Sequence, residues 1–371
     1  MRVIFAGGGT GGHLYPGIAL AQHLRSQDPA TGSLFLCTDR PFDARELAAY
    51  RMDHEALPAP RLRPFLALPG AMMHAVRRAR GRLRDFDPDL VVGLGGYGSF
   101  PALAAAAIER RPYVLLEQNA VPGRSNLLAA RGARRVYVQW EEARRSFPGL
   151  GARVVHAGSP LRNGLERLPR AEARARIGLE PGATVVGVIG GSQGAESLNR
   201  LVVRELAAVP GARILHLAGQ SADAVRAAYR DAGRDARVEE FRRDMGAFYS
   251  ACDLVISRAG ALAIAELQAL GCAAVLVPYP HAAGDHQAEN ARALERAGAA
   301  GVVDERKAAP GALAAWVRKL MRGDSDFDSM RRVISTLARP DSARHIVKDW
   351  ASWLPTRGPA PRTLSESAAS A

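Results

Sequence analysis

The stretch Arg2–His13, RVIFAGGGTGGH, decides how this chain folds, together with its echo at Thr184–Ala195, TVVGVIGGSQGA. In each, a short apolar run enters a glycine-rich turn, and an amphipathic segment follows. An apolar run without alternation marks a strand buried on both faces of a parallel sheet. The glycines let backbone N–H groups approach a phosphate, and the helix start beyond them favours its negative charge.

Working outward from the first turn, Leu34–Thr38, Asp89–Gly93, Tyr113–Leu116 and Arg135–Val138 read as further strands, with helices at Pro16–Leu24 and Pro101–Glu109. From the second turn, strands are expected at Arg213–Leu217, Leu254–Ser257 and Ala274–Pro278, and helices at Ser197–Leu206, Asp223–Ala232 and Ala261–Leu270. Short apolar strands alternating with helices predict an α/β protein with parallel sheets covered on both faces. The pattern occurs twice, so two doubly wound domains should face each other across a cleft at their strand C-termini. The join falls near Gly158–Glu172, rich in Gly, Pro and Arg. The expected division is 1–160, 161–340, a helix at 341–354 packing back on the first domain, and a disordered tail at 355–371 without apolar periodicity.

Composition narrows the function. The 371 residues are 47% hydrophobic and 23% charged, which excludes a wholly disordered chain and suits about two domains. The net charge of +13 favours anionic partners such as phosphorylated substrates or anionic lipid. An Arg-rich composition with no Lys before Lys307 accounts for the same excess. Cys37, Cys252 and Cys272 have neither metal-ligand nor disulfide spacing, so a reducing cytoplasm is the expected home. No apolar run reaches the roughly 18–20 residues that span a bilayer, and the N-terminus reads as a strand rather than a signal peptide, so membrane contact should be peripheral.

Gly7, Gly9 and Gly12 satisfy the dinucleotide fingerprint, and Asp39 stands where a ribose-binding acid would close the second strand. Taken alone, this supports a nicotinamide enzyme. A second loop at Gly190–Ala195 and a third glycine cluster at Gly93–Gly98 exceed what a dinucleotide needs and suggest two phosphorylated ligands.

GGGTGGH, GLGGYGSFP (Gly93–Pro101), EQN (Glu117–Asn119), GGSQGA, SRAGALAIAE (Ser257–Glu266) and DHQAENA (Asp285–Ala291) occur in that order. From Met1 to about Trp353 the set resembles the MurG family, glycosyltransferase family 28. The chain departs from the family pattern at Leu116, at Ser159-Pro160 and at Ala259-Gly260-Ala261. The resemblance implies the two-domain GT-B fold, with two Rossmann-like domains. It also implies an inverting, metal-independent transfer of N-acetylglucosamine from UDP-N-acetylglucosamine (UDP-GlcNAc) to the C4 hydroxyl of the MurNAc unit of lipid I. The product is lipid II, the peptidoglycan precursor. No cofactor is implied. The implied partners are UDP-GlcNAc, lipid I, anionic inner-leaflet lipids and other cell-wall synthesis proteins, with no nucleic acid. The implied location is the cytoplasmic face of the bacterial cell membrane. A diacylglycerol glycosyltransferase and a UDP-GlcNAc 2-epimerase share the fold and remain alternatives.

The resemblance also implies residue roles. Glu266 would take the ribose hydroxyls, since one ionised carboxylate accepts from both. Ser192, Ala261 and Leu262 would hold the pyrophosphate, with Arg162 nearby and Arg258 assisting. Gln287, beside His286, would bind sugar hydroxyls, and the backbone at Arg242 would read the uracil edge. Thr10, Gly11, Gly12 and Asn119 would approach the donor from the other domain, and Gly95, Gly96 and Tyr97 the acceptor pyrophosphate. Inversion needs one displacement and one general base. His13, in the first loop beside a helix start, is the candidate and Glu117 the runner-up. Asp85-Phe86-Asp87 mimics a metal-binding Asp-x-Asp and reads as structural, and Asp324, Asp326 and Asp328 lack the Gly and closing Glu of a calcium loop. Phe65, Leu66 and Leu68, followed by Met72, Met73 and Arg77, Arg78, Arg80, Arg82 and Arg84 with no acid between, form the candidate membrane contact.

Overall fold

A computed structural model describes residues 1–57, 68–191 and 194–355. The first half runs β1 (Arg2–Ala6), α1 (Gly11–Gln27), β2 (Gly32–Cys37), α2 (Pro41–Ala49), β3 (Asp53–Ala56), α3 (Leu68–Phe86), β4 (Leu90–Gly93), α4 (Phe100–Ile108), β5 (Tyr113–Glu117), α5 (Arg124–Ala129), β6 (Arg135–Val138) and β7 (Val154–His156). The second half runs α6 (Arg170–Ile177), β8 (Val185–Ile189), α7 (Glu196–Ala207), β9 (Arg213–Leu217), α8 (Ala222–Asp231), β10 (Ala236–Glu239), α9 (Met245–Ala251), β11 (Leu254–Ser257), α10 (Ala261–Leu270), β12 (Ala274–Leu276), α11 (His286–Arg296) and β13 (Gly301–Val302). Helices α12 (Ala312–Met321), α13 (Asp326–Thr336) and α14 (Ser342–Ala351) complete the described chain.

Each half carries one parallel sheet. The strand orders are β3-β2-β1-β4-β5-β6-β7 and β10-β9-β8-β11-β12-β13. The order reverses between β1 and β4 and again between β8 and β11, and crevices open at such switch points beyond the strand C-termini. The apolar runs explain the central strands: Val3, Ile4, Phe5 and Ala6 have no exposed surface, nor do Leu254, Val255 and Ile256. Strands β3, β7, β10 and β13 are short and form the outer edges of the two sheets; none was expected from the sequence. They carry residues such as Asp53, Glu55 and Arg237, because an edge strand needs no continuous apolar run.

The last helix lies on the first half. Ile346 and Trp350 of α14 are buried in the same core as Val3, Leu14 and Ile18. Asp349 accepts from Arg135 Nε at 3.0 Å and from the Tyr137 hydroxyl at 2.5 Å. The tail expected to be disordered falls, from 356 onward, outside the described residues.

Candidate active site

Between the two halves lies a cavity of about 420 Å³, lined from both sides. From the first half come Thr10, Gly11, Gly12, His13, Tyr15, Gln118 and Asn119; from the second come, among others, Gly190, Arg242, Tyr249, Ala261, Leu262, Glu266, His286 and Gln287. Arg162, from the connecting segment, joins them. Gly95, Gly96, Tyr97 and Glu117 do not line it; the two glycines lie directly behind His13. Ser192, Phe65 and Leu66 fall outside the described residues, as does the side chain of Leu68.

His13 occupies the first turn of α1, which starts at Gly11, earlier than the sequence suggested. Thr10 precedes the helix in extended conformation, and its hydroxyl lies 3.2 Å from His13 Nδ1. The ring packs against the Gly95–Gly96 turn, where φ is +89° and +72°. A Cβ at Gly95 would come within 3.0 Å of the imidazole, so this turn needs glycine for both space and backbone conformation. Desolvation in the cleft wall, with a smaller contribution from His286, lowers the His13 pKa from 6.5 to about 4. The ring is therefore neutral at neutral pH, and the helix N-terminus acts in the same direction.

The dinucleotide reading of the first loop does not survive. Both carboxylate oxygens of Asp43, which is fully buried, accept the Gly9 N–H at 2.8 Å, and Asp43 also takes the Thr38 hydroxyl at 2.6 Å. The chain's own anion thus fills the place a pyrophosphate would need, and Asp39 is exposed and away from the cavity.

On the other side, the Glu266 carboxylate is buried, with Arg162 Nη1 at 2.9 Å and the Tyr249 hydroxyl at 2.8 Å. Burial and then Glu266 itself push the Tyr249 hydroxyl well above its ordinary pKa, so it remains a donor. The Arg162 guanidinium also stacks over the Tyr15 ring at 4.2 Å, linking this carboxylate to α1. Tyr15 and Tyr249 were missed because an aromatic residue on a helix reads as core, and nothing local reveals that its hydroxyl meets a carboxylate. Gln287 Oε1 accepts the Tyr279 N–H at 3.0 Å, which orients its amide. The Arg242 guanidinium is tied to Glu239. The N–H groups of Ala261, Leu262 and Ala263 open α10 without intrahelical partners and lie at the cavity wall.

Three expectations need correction. Glu117 is buried, and its carboxylate accepts from the N–H groups of Asn119 at 3.0 Å and Gly123 at 2.9 Å and from Asn126 Nδ2 at 2.8 Å. Burial raises its pKa against the pull of these bonds. It braces a loop and has no approach to the cavity, which removes it as a base. Arg258 lines the cavity, yet its Nη1 and Nη2 are engaged by Glu305 at 2.9 Å, Ser197 at 2.6 Å and the carbonyls of Val277 and Pro278 at 3.1 Å. It brackets loops rather than offering a charge to phosphate.

The basic run on α3 is also less free than its sequence implied. Glu55 pairs with Arg78 and Arg82, and Glu109 with Arg80 and Arg84. The acids absent from the run arrive from β3 and from the end of α4. Among the described residues Arg77 has no ion pair; Met73, one helical turn before it, and Ile108, at the end of α4, are 53% and 54% exposed. Asp85 and Asp87, the candidate metal pair, turn to separate arginines, Arg82 and Arg111.

Models of the glycosyltransferase family 28 N-terminal and C-terminal domains match residues 3–138 and 185–346. A relative from Pelobacter propionicus is 40% identical over 375 aligned positions, covering 94% of this chain and 98% of the relative. It is a UDP-N-acetylglucosamine–N-acetylmuramyl-(pentapeptide) pyrophosphoryl-undecaprenol N-acetylglucosamine transferase. A protein of the same name from Symbiobacterium thermophilum is 37% identical over 357 positions, covering 94% of this chain and 95% of that one. The crystal structure of Acinetobacter baumannii MurG matches with a TM-score of 0.75 at 28% identity, over 95% of this chain and 99% of that one. A UDP-GlcNAc 2-epimerase from Neisseria meningitidis, bound to UDP-GlcNAc, matches at 0.68 with 13% identity over 95% and 100%, a likeness of fold alone.

Proposed function

The chain belongs to glycosyltransferase family 28, and on that footing we propose that it transfers N-acetylglucosamine from UDP-GlcNAc to the MurNAc unit of lipid I, making the lipid II precursor of peptidoglycan. The observation that carries this reading is the two-sided cavity, with a neutral histidine on one wall and a buried carboxylate, an oriented glutamine and an open helix N-terminus on the other. Relatives at 37–40% identity carry this transferase name, whereas the epimerase likeness extends to fold only.

In this reading the second half holds the donor. Glu266 accepts the ribose hydroxyls with the lone pairs that Arg162 and Tyr249 leave over, since a carboxylate has about four acceptor sites. The free N–H groups opening α10 meet the pyrophosphate, and the Gln287 amide meets the sugar hydroxyls. His13 is the base. With Nδ1–H donated to Thr10, Nε2 keeps its lone pair and removes the proton of the attacking C4 hydroxyl. That oxygen bonds to C1 of the donor sugar as the C1–O bond to phosphate breaks on the opposite face. UDP departs with the electron pair, and the anomeric configuration inverts. Gly95 and Gly96 set the imidazole's place, and the adjoining turn with Tyr97 faces the acceptor.

No helix among the described residues is long and apolar enough to cross a membrane. Peripheral attachment to the inner leaflet is supported by the exposed Met73 one helical turn from Arg77, which has no ion pair among the described residues. The deciding experiment is incubation with UDP-GlcNAc and a lipid I analogue. Disaccharide formation supports the reading; donor epimerisation without acceptor, or transfer only to diacylglycerol, refutes it.

A further inference from the structure

We propose that Asn290 is a positioning residue that clasps the two halves together and so sets the spacing between the proposed base and the donor sugar. The inference rests on the transferase reading for its consequence, but the clasp itself is a matter of geometry. Asn290 lies on α11 and has no exposed surface. Its Oδ1 accepts the Ala120 N–H of the first half at 2.8 Å. Its Nδ2 donates to Asn119 Oδ1, also in the first half, at 3.2 Å, and to the Ala259 carbonyl of its own half at 3.1 Å. One amide thus supplies one acceptor and two donors, which matches what a carboxamide offers. An aspartate there would set a second acceptor against two oxygens, and an apolar residue would strand buried polar groups.

Both sides of the clasp are stiff. In the first half, the three shortest hydrogen bonds to Glu117 tie the 119–126 loop to the end of β5. The carboxylate that the sequence offered as a base is therefore the foundation of this contact. In the second half, Gln287 sits one helical turn before Asn290 and so shares its face of α11. Asn119, Gln287 and His13 all line the same cavity. A further bond between the halves, from Gln139 Nε2 to the Ala261 carbonyl at 3.0 Å, reaches the start of α10. Uridine contacts belong to the second half alone and do not need the clasp, whereas the transfer step needs both halves in register. Displacement of reacting groups by about 1 Å costs on the order of 10²-fold in rate.

The test uses the full chain and its Asn290→Ala and Asn290→Asp variants, with UDP-GlcNAc and a soluble lipid I analogue. Turnover at saturating substrates should fall by about 10- to 100-fold, while UDP affinity stays within about twofold. In Asn290→Ala, deuterium exchange at the Ala120 amide should accelerate by at least about tenfold, since that N–H loses its acceptor. Unchanged turnover overturns the proposal. So does UDP affinity that falls in step with turnover, or an Ala120 amide that stays protected in Asn290→Ala. If Asn290→Ala fails to fold, Asn290→Asp, which keeps the Ala120 acceptor but sets an oxygen against Asn119 Oδ1 and the Ala259 carbonyl, is read by turnover and UDP affinity. If the unmodified chain forms no disaccharide at all, the transferase reading fails, and Ala120 exchange alone still decides whether the clasp exists.

Discussion

Replacing Glu266 probes donor binding and stability at once, because the structure shows what its carboxylate already holds. Glu266→Ala strips the partner from Arg162, whose side chain is 7% exposed, and from the buried Tyr249 hydroxyl. Leaving one member of a buried ion pair unpaired costs about 3–5 kcal/mol. The stacking of Arg162 on Tyr15 is present before and after the change, so it does not enter the difference. A loss of about 3–5 kcal/mol corresponds to a midpoint lowered by roughly 6–20 °C, at about 2–4 °C per kcal/mol for a domain of this size. Glu266→Gln keeps an acceptor oxygen for Tyr249 and should lose less. Adding Arg162→Met to Glu266→Ala should restore part of the stability, since no charge is then stranded. UDP affinity in the folded Glu266 variants should fall by about 1.5–3 kcal/mol, or roughly 10- to 150-fold, because the ribose hydroxyls lose a charged acceptor. Thermal denaturation and calorimetric titration with UDP read the two effects separately. A Glu266→Ala protein with the parent's midpoint and UDP affinity refutes the reasoning, as does a double variant less stable than Glu266→Ala.

His13→Ala should lower turnover per folded molecule by about 10²–10⁴-fold with little change in UDP affinity; near-normal turnover would hand the proton to water. Because the His13 pKa is lowered to about 4, the acid limb of kcat/KM should lie near that value rather than near 6.5, with the kcat limb higher once the donor pyrophosphate is bound. Between 6.5 and about 4 the unfolded chain binds the extra proton at this position, so the His13 contribution makes stability decline as pH falls through that window, and His13→Ala should flatten the decline. Activity should survive EDTA, and a loss restored by Mg²⁺ or Mn²⁺ would count against the base-only mechanism. Met73→Ser with Arg77→Glu should weaken binding to anionic vesicles while sparing turnover of a soluble acceptor. This pair is cleaner than reversing Arg78 or Arg80, which would also break ion pairs to Glu55 and Glu109.

Local sequence determined what depends on neighbours along the chain. Buried central strands such as Val3–Ala6 announce themselves as unbroken apolar runs, and glycine turns follow them. From these the two-sheet α/β fold was legible, and the resemblance carried by the ordered motifs implied that His13, Glu266 and Gln287 share one cleft. Tertiary structure decided what depends on partners distant in sequence. Glu55 and Glu109 neutralise arginines whose own segment has no acid, because helix packing brings them together. Asp43 reaches back 34 residues to fill the first loop, turning an apparent dinucleotide site into a rigid support for His13. Glu117 and Asn119 look like chemistry in the motif EQN but are largely consumed by a loop and by Asn290, 171 residues away from Asn119. A carboxylate's role is set by who already donates to its oxygens, and that is fixed only when the chain has folded.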